Sequence, residues 1–295
     1  MSSQRLIVDS VAIEVTSNAF LPEAYVYRDM FIAKGFACDL VQKGSKIMND
    51  YDAVVLFHGF HPFWKKYPQL IIGEYHSLSV GRFGWIKDIL KRVFNVRASY
   101  YIFLNDFTRK RLFFSNKIPF SLRGMGYDSS NNDLGCQHKE FDVVYCGSFR
   151  SGVIERVMYL ADLGLRIAVV GFENQLNHQN VYFFGKVSSQ EAARIMLKSK
   201  WGLNYTPDGF PLNIQDSTKV IEYCALGLGV ITNRYKWVDR FEKDRCARFL
   251  DLDQVFSADD VKNFEFTVPD VSELEWSRNA EVLFDELNAQ LALVN

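Results

Sequence analysis

The sequence predicts an α/β protein built from two parallel-sheet domains. Three observations carry that reading. Short apolar runs alternate along the chain with segments of helical apolar spacing. A parallel sheet covered by helices on both faces requires that alternation. The length, 295 residues, exceeds what one compact core usually takes. Near the middle, residues 126–140 (GYDSSNNDLGCQHKE) are polar and rich in turn formers. They read as a linker between a domain spanning residues 1–135 and one spanning residues 136–295.

In the first half, strands are expected at residues 6–10, 37–41, 53–58, 70–76 and 101–104. A helix over residues 22–34 has Pro22 at its start and Gly35 past its end. Further helices are expected over residues 84–94 and, capped by Asn105, over residues 105–114. In the second half, strands are expected at residues 141–146, 166–170, 181–184, 201–205 and 247–252. Ser188 with Glu191 three residues on suggests a capping box, as does Ser272 with Glu275 at the head of a terminal helix over residues 272–293.

Hydrophobic content of 48% and charged content of 23% exclude a disordered chain. No run approaches the roughly 18 apolar residues of a spanning helix, and no cleavable leader is visible at the N-terminus. Cys38, Cys136, Cys146, Cys224 and Cys246 are odd in number and lack CxxC spacing, which argues for reduced thiols, a cytoplasmic setting and no zinc. Residues 1–135 hold 17 Lys and Arg against 12 Asp and Glu, a net +5, and the remainder nets −6. That excess is small and comes with no recognition motif, so nucleic acid is not an expected partner.

Chemistry concentrates in residues 213–233, NIQDSTKVIEYCALGLGVITN. This is a polar loop, a helix capped by Asp216 or Ser217, a glycine stop at Gly227 and Gly229, and a buried strand. A helix N-terminus carrying Ser217, Thr218 and Lys219 favours an anion. Glu222, one turn deeper, can accept hydrogen bonds from sugar hydroxyls. Upstream, YCGSFRSG turns from a strand into a helix, with Gly147 allowing close backbone approach, Ser148 beside it and Arg150 able to pair with phosphate. It has neither GxGxxG nor GxxxxGK[ST], so no dinucleotide fingerprint or P-loop is indicated.

Lys219, Glu222 and Tyr223, followed by Ala225, Gly227, Val230 and Ile231, resemble the donor-binding segment of GT-B glycosyltransferases of the retaining, glycogen synthase-like group. Those enzymes commonly show Lys-x-x-Glu-Tyr or Glu-x7-Glu before Ala-x-Gly-x-Pro-Val-Ile. Ile214 stands where the first glutamate of Glu-x7-Glu would be, and Gly229 stands where proline is usual. The resemblance implies two Rossmann-like domains with a cleft between them, and a final helix that often packs across the first. It implies transfer of a sugar from a nucleotide-diphosphate donor to a hydroxyl of a glycan or lipid-linked acceptor, in bacterial surface polysaccharide or glycoconjugate synthesis, without metal or other cofactor. Gly147, Ser148, Arg150, Ser217, Thr218 and Lys219 would hold the diphosphate and Glu222 the ribose. Asp208, in the loop before the helix, would approach the sugar or base, and Phe183 to Gly185 the base. A nucleotide-sugar epimerase or hydrolase, or a non-catalytic subunit of the same fold, are the alternatives; the missing first glutamate keeps the last one open.

The first half offers His58 and His61 (FHGFHPF) and Glu74 and His76 (GEYHSLS), all following apolar runs. Glu74 or His76 is the expected general base and His58 and His61 the acceptor side. A retaining course would need no base. Residues 82–97 combine Arg82, Lys87, Lys91, Arg92 and Arg97 with an apolar stripe of Trp85, Ile86, Ile89, Leu90, Val93 and Phe94. Such a stripe ordinarily packs on a sheet; the alternative is a peripheral contact with an anionic membrane.

Overall fold

The computed structural model describes residues 8–16, 21–57, 59–112, 117–130, 135, 138–150, 152–173, 176–207 and 209–291. These form two units, each around one six-stranded sheet whose strands all pair in parallel.

The first unit contains β1 (Ser10–Val15), α1 (Pro22–Ala33), β2 (Ala37–Gln42), β3 (Ala53–Phe57), β4 (Leu70–Tyr75), α2 (Gly84–Phe94), β5 (Tyr100–Phe103), α3 (Asp106–Leu112) and β6 (Phe120–Leu122). Its strand order is β2-β1-β3-β4-β5-β6. Alternate residues of each inner strand feed opposite faces, as the period of two requires. Val11, Ile13, Val55, Ile72 and Ile102 enter one core. Ala12, Val54, Ile71, Tyr101 and Phe103 enter the other.

The second unit contains β7 (Phe141–Cys146), α4 (Val153–Asp162), β8 (Ile167–Val170), β9 (Val181–Gly185), α5 (Ser189–Leu197), β10 (Ser199–Asn204), α6 (Thr218–Ala225), β11 (Gly229–Thr232), α7 (Lys236–Asp244), β12 (Leu250–Asp251) and α8 (Ala258–Asn263). The order is β12-β11-β10-β7-β8-β9, with β7 and β10 central.

The structure corrects the domain boundary. The first unit ends at Gly124, and the second runs from Met125 to Glu275. The expected linker is partly anchored, because Tyr127 is buried in the second unit's core and its N–H donates to Leu274 O at 3.2 Å. The terminal helix is α9 (Trp276–Leu291), and it belongs to the first unit, not the second. Its Ala280, Leu283, Phe284 and Leu287 share one face and complete the core over α1. Phe284 meets Phe31 and Phe36 edge-on, with ring centroids 6.0 Å away in each case. Residues Ser272–Leu274 form a separate 3-10 turn, so the Ser272 start does not cap α9. At α5, Ser188 caps as expected, but the Glu191 carboxylate pairs with Arg194 at 3.1 Å.

The first strand described is Ser10–Val15; of the expected residues 6–10, residues 6 and 7 lie outside the described residues and only Ser10 falls in the strand. Glu14 is buried within β1, where His61 pairs with its carboxylate at 2.6 Å. β6, α7 and α8 are not among the expected elements. The amphipathic stripe at α2 departs from its ordinary use. Trp85, Ile89, Leu90 and Val93 are exposed, and the helix instead turns Gly84 and Asp88 inward. The Asp88 carboxylate accepts from Ser79 N–H at 3.0 Å, which fixes that orientation.

Candidate functional site

The site in the second unit is built from the carboxyl ends of β7 and β10 and the start of α6. In open parallel sheets this is where loops converge on ligands. Ser217, with extended backbone, accepts from Val220 N–H at 3.4 Å and so begins α6. Its hydroxyl donates to Asn204 Oδ1 at 3.0 Å. The Asn204 amide in turn donates to Thr232 Oγ1 at 2.9 Å and Tyr235 Oη at 3.2 Å. This buried clasp ties the ends of β10 and β11 to the head of α6.

The inner face of α6 is pinned by Tyr223. Its ring lies against Gly202, where an added Cβ would fall 2.2 Å from ring atoms. Its hydroxyl accepts from Cys146 N–H at 3.0 Å and donates to Leu203 O at 3.3 Å. So anchored, α6 projects Lys219 over the turn after β7. At Gly147 the backbone has φ of 154°, and a Cβ would stand 2.4 Å from Lys219 Cε. The backbone conformation favours glycine here, and an added side chain would displace the end of Lys219.

Lys219 and Glu222 are half-buried, and among the described residues neither has an ion-pair partner. Lys219 Nζ lies 5.7 Å from the Tyr145 ring centroid. Burial lowers the Lys219 ammonium to about 8, and Arg150 adds to the effect against the opposing pull of Glu222. Burial raises Glu222 to about 7; Lys219 opposes the rise and Asp128 reinforces it. Two cations, a helix N-terminus and a carboxylate of raised pKa thus converge without mutual neutralisation. Such a group of perturbed residues at the ends of strands marks a candidate ligand site.

The sequence-derived donor residues divide accordingly. Gly147, Arg150, Lys219 and Glu222 are brought together. Ser148 is exposed on the turn, and its carbonyl accepts from Tyr145 Oη at 2.9 Å. Thr218 is the first residue of α6. The Ser217 hydroxyl is spent on the cap and on Asn204. Asp208 lies outside the described residues. In the loop leading to α6, Asn213 Oδ1 and Gln215 Nε2 are buried without hydrogen-bond partners. Asn204 is absent from the residues expected at the site; a lone amide closing an apolar strand is the signal that could have found it.

In the first unit, Glu74 and His76 belong to a buried ionic cluster, in which Glu23 Oε2, Glu74 Oε2 and Arg123 Nε have no hydrogen-bond partner. His76 Nδ1 meets Glu23 Oε1 at 3.0 Å, and Nε2 faces Glu74. Arg123 pairs with Glu74 and lies 2.7 Å from His76 Nε2. Its guanidinium stacks over Trp276 at 4.8 Å. Burial would raise the Glu74 carboxyl, but Arg123 and His76 overcome it and hold the group down to about 2. A fully buried carboxylate so held is a weak proton acceptor, which does not suit the base expected from the sequence. His61 sits on Glu14, with Lys43 3.6 Å from the same carboxylate. His58 lies outside the described residues.

No protein-family model matches the sequence, and no curated protein does. Solved structures match in fold. AviGT4, a glycosyltransferase involved in avilamycin A biosynthesis, is similar with a TM-score of 0.63 at 13% identity, over 96% of this chain and 98% of that one. UDP-N-acetylglucosamine 2-epimerase from Rickettsia bellii is similar with a TM-score of 0.57 at 12% identity, over 97% of each chain. The two parallel six-stranded sheets and these likenesses define a GT-B glycosyltransferase-like fold. At such identities the likeness is one of fold, and function rests on the site.

Proposed function

We propose that this protein is a nucleotide-sugar-dependent glycosyltransferase that moves a glycosyl group to a hydroxyl of a glycan or lipid-linked acceptor. The observation that carries the reading is the Lys219–Glu222 arrangement over Gly147, which has two cations and a carboxylate but no internal ion pair. Lys219, Arg150 and the head of α6 take the diphosphate, and stabilise it as a leaving group through fixed charge. Glu222 accepts from the ribose hydroxyls. The orphaned amides of Asn213 and Gln215 supply further polar contacts beside them. The acceptor proton passes to the departing phosphate on the same face, so Glu74 is assigned to architecture and not to proton transfer. The test is calorimetric titration with UDP, GDP, ADP and CMP. Specific binding by one nucleotide, weakened in Lys219→Ala and Glu222→Ala, supports the site; equal affinity in the variants removes it.

The likeness to an epimerase supports a second reading, in which donor sugar is isomerised or released without an acceptor. Turnover of the nucleotide sugar alone, at the rate seen with acceptor, would favour it.

The same reading includes a membrane-facing surface on the first unit. Trp85, Ile89, Leu90 and Val93 of α2 stand exposed beside Phe63 and Trp64, at 60% and 61% exposure, and Arg82, Lys87 and Arg92 flank them. Among the described residues no helix is long and apolar enough to cross a membrane. Rings that wedge between headgroups and a basic rim suit an anionic leaflet. Retention by phosphatidylglycerol vesicles at low salt, reduced in Trp64→Ala with Trp85→Ala, is the expected outcome. Absence of retention by those vesicles would dismiss this surface.

A further inference from the structure

A second concentration of charge lies in the first unit, at the carboxyl ends of β1, β2 and β3. There a pocket of about 270 Å3 is lined by Lys43, Lys46, Lys65 and Lys66. Its carboxylate, Glu14, is buried and already engaged by His61 at 2.6 Å, with Lys43 at 3.6 Å. Among the described residues, Lys46, Lys65 and Lys66 have no ion-pair partner. Four ammonium groups around one concavity repel one another, and one spent carboxylate does not neutralise them. The fold places all four on the pocket's lining and holds Lys43 by side-chain contacts. Lys43 follows β2 directly, and its Nζ reaches across to within 3.4 Å of His61 Nε2. His61 is itself fixed through its backbone N–H, which donates to Asn95 Oδ1 at 2.9 Å. Lys65 and Lys66 come from the loop that exposes Phe63 and Trp64, so one segment carries both the aromatic wedge and half of the pocket's charge.

We propose that this pocket binds a phosphate or diphosphate group, separate from the nucleotide site of the second unit. Lysines act as point charges toward phosphoryl oxygens, and four of them offer more donors than a single carboxylate would use. Describing that group as the charged end of an acceptor rests on the transferase reading; the binding itself does not.

The test uses inorganic pyrophosphate and full-length protein carrying Lys219→Ala, so that the nucleotide site is already disabled. Calorimetry should detect binding in this protein. Adding Lys46→Gln, Lys65→Gln and Lys66→Gln should weaken it by roughly tenfold or more, as expected for loss of several charge-assisted contacts. These lysines are exposed and unpaired, and an unchanged melting temperature would verify that the fold is intact. No pyrophosphate binding in the Lys219→Ala protein, or equal binding with the three lysines replaced, overturns the proposal. Phosphatidylcholine vesicles doped with a long-chain phosphate monoester distinguish the sources. Retention on doped but not undoped vesicles, competed by pyrophosphate, identifies a lipid-borne phosphate. Pyrophosphate binding without preferential retention identifies a soluble one. Nucleotide titration of otherwise native protein reports separately on Lys219 and Glu222, so failure of one site is not read as failure of the other.

Discussion

Glu74 and Glu222 are the same residue type, each near the carboxyl ends of its sheet, and their environments push them in opposite directions. Glu74 is held down to about 2 and Glu222 is raised to about 7. Burial acts upward on both. The difference is partners: Arg123 and His76 close around Glu74, whereas Lys219 approaches Glu222 without pairing with it. The lesson is that burial alone does not mark a functional carboxylate. A buried charge whose partners come from the protein is architecture; one whose partners are absent is available to a ligand.

The largest expected effect tests the paired side. Glu74→Gln should cost about 3–5 kcal/mol of stability by leaving Arg123 and His76 uncompensated. Denaturant unfolding measures this, and nucleotide affinity should not change in conditions where the variant is folded. Loss of nucleotide affinity at unchanged stability would erase the distinction between the two glutamates.

Next in size, Lys219→Ala should lower diphosphate affinity by about 1.5–3 kcal/mol, the range of a hydrogen bond to a charged group. Its melting temperature should hold or rise, since a partly desolvated, unpaired cation is removed. A smaller effect is expected at the cap: Ser217→Ala should destabilise by about 1 kcal/mol and loosen the clasp on Asn204.

Proton linkage gives the finest test. Lys219 falls to about 8 in the folded protein, so its charge is lost as pH rises through that value. Diphosphate affinity should therefore decline above pH 8, and Lys219→Arg should flatten the decline because arginine stays charged. For Glu74 the folded value lies below the ordinary 4.5, so its stabilisation is full above that pH and disappears as pH falls toward 2. Glu222 has the reverse sign: its raised value makes folding cost more as pH climbs from 4.5 to about 7. Acid unfolding should thus be blunted in Glu74→Gln and retained in Glu222→Gln.

Much of this arrangement was legible in the residues. The apolar runs of β3, β4, β7 and β10, interspersed along the chain with helical segments, pointed to both sheets, since strands buried on both faces are largely apolar. Lys219, Glu222 and Gly147 were legible because spacing on one helix and a turn after one strand are local properties. Ser217 was legible as a cap but not as a donor to Asn204, a contact spanning two elements. The pairing of Glu74 was not legible: a charge at the end of an apolar run reads as a catalytic group, and the compensating Arg123 lies distant in sequence. The outward stripe of α2 was hidden likewise, because periodicity marks an apolar face without saying which way it turns; Asp88 bonding to Ser79 decides that.

The return of α9 to the first unit bears on the order of events during synthesis. Domains usually fold as they emerge, the N-terminal one first. Here the second unit is one unbroken stretch, Met125 to Glu275, and can consolidate while translation continues. The first unit's core waits for Ala280, Leu283, Phe284 and Leu287, so its α1 face stays open until the second unit has been synthesised and α9 follows it. Maturation then runs opposite to chain order, and the half that begins first finishes last.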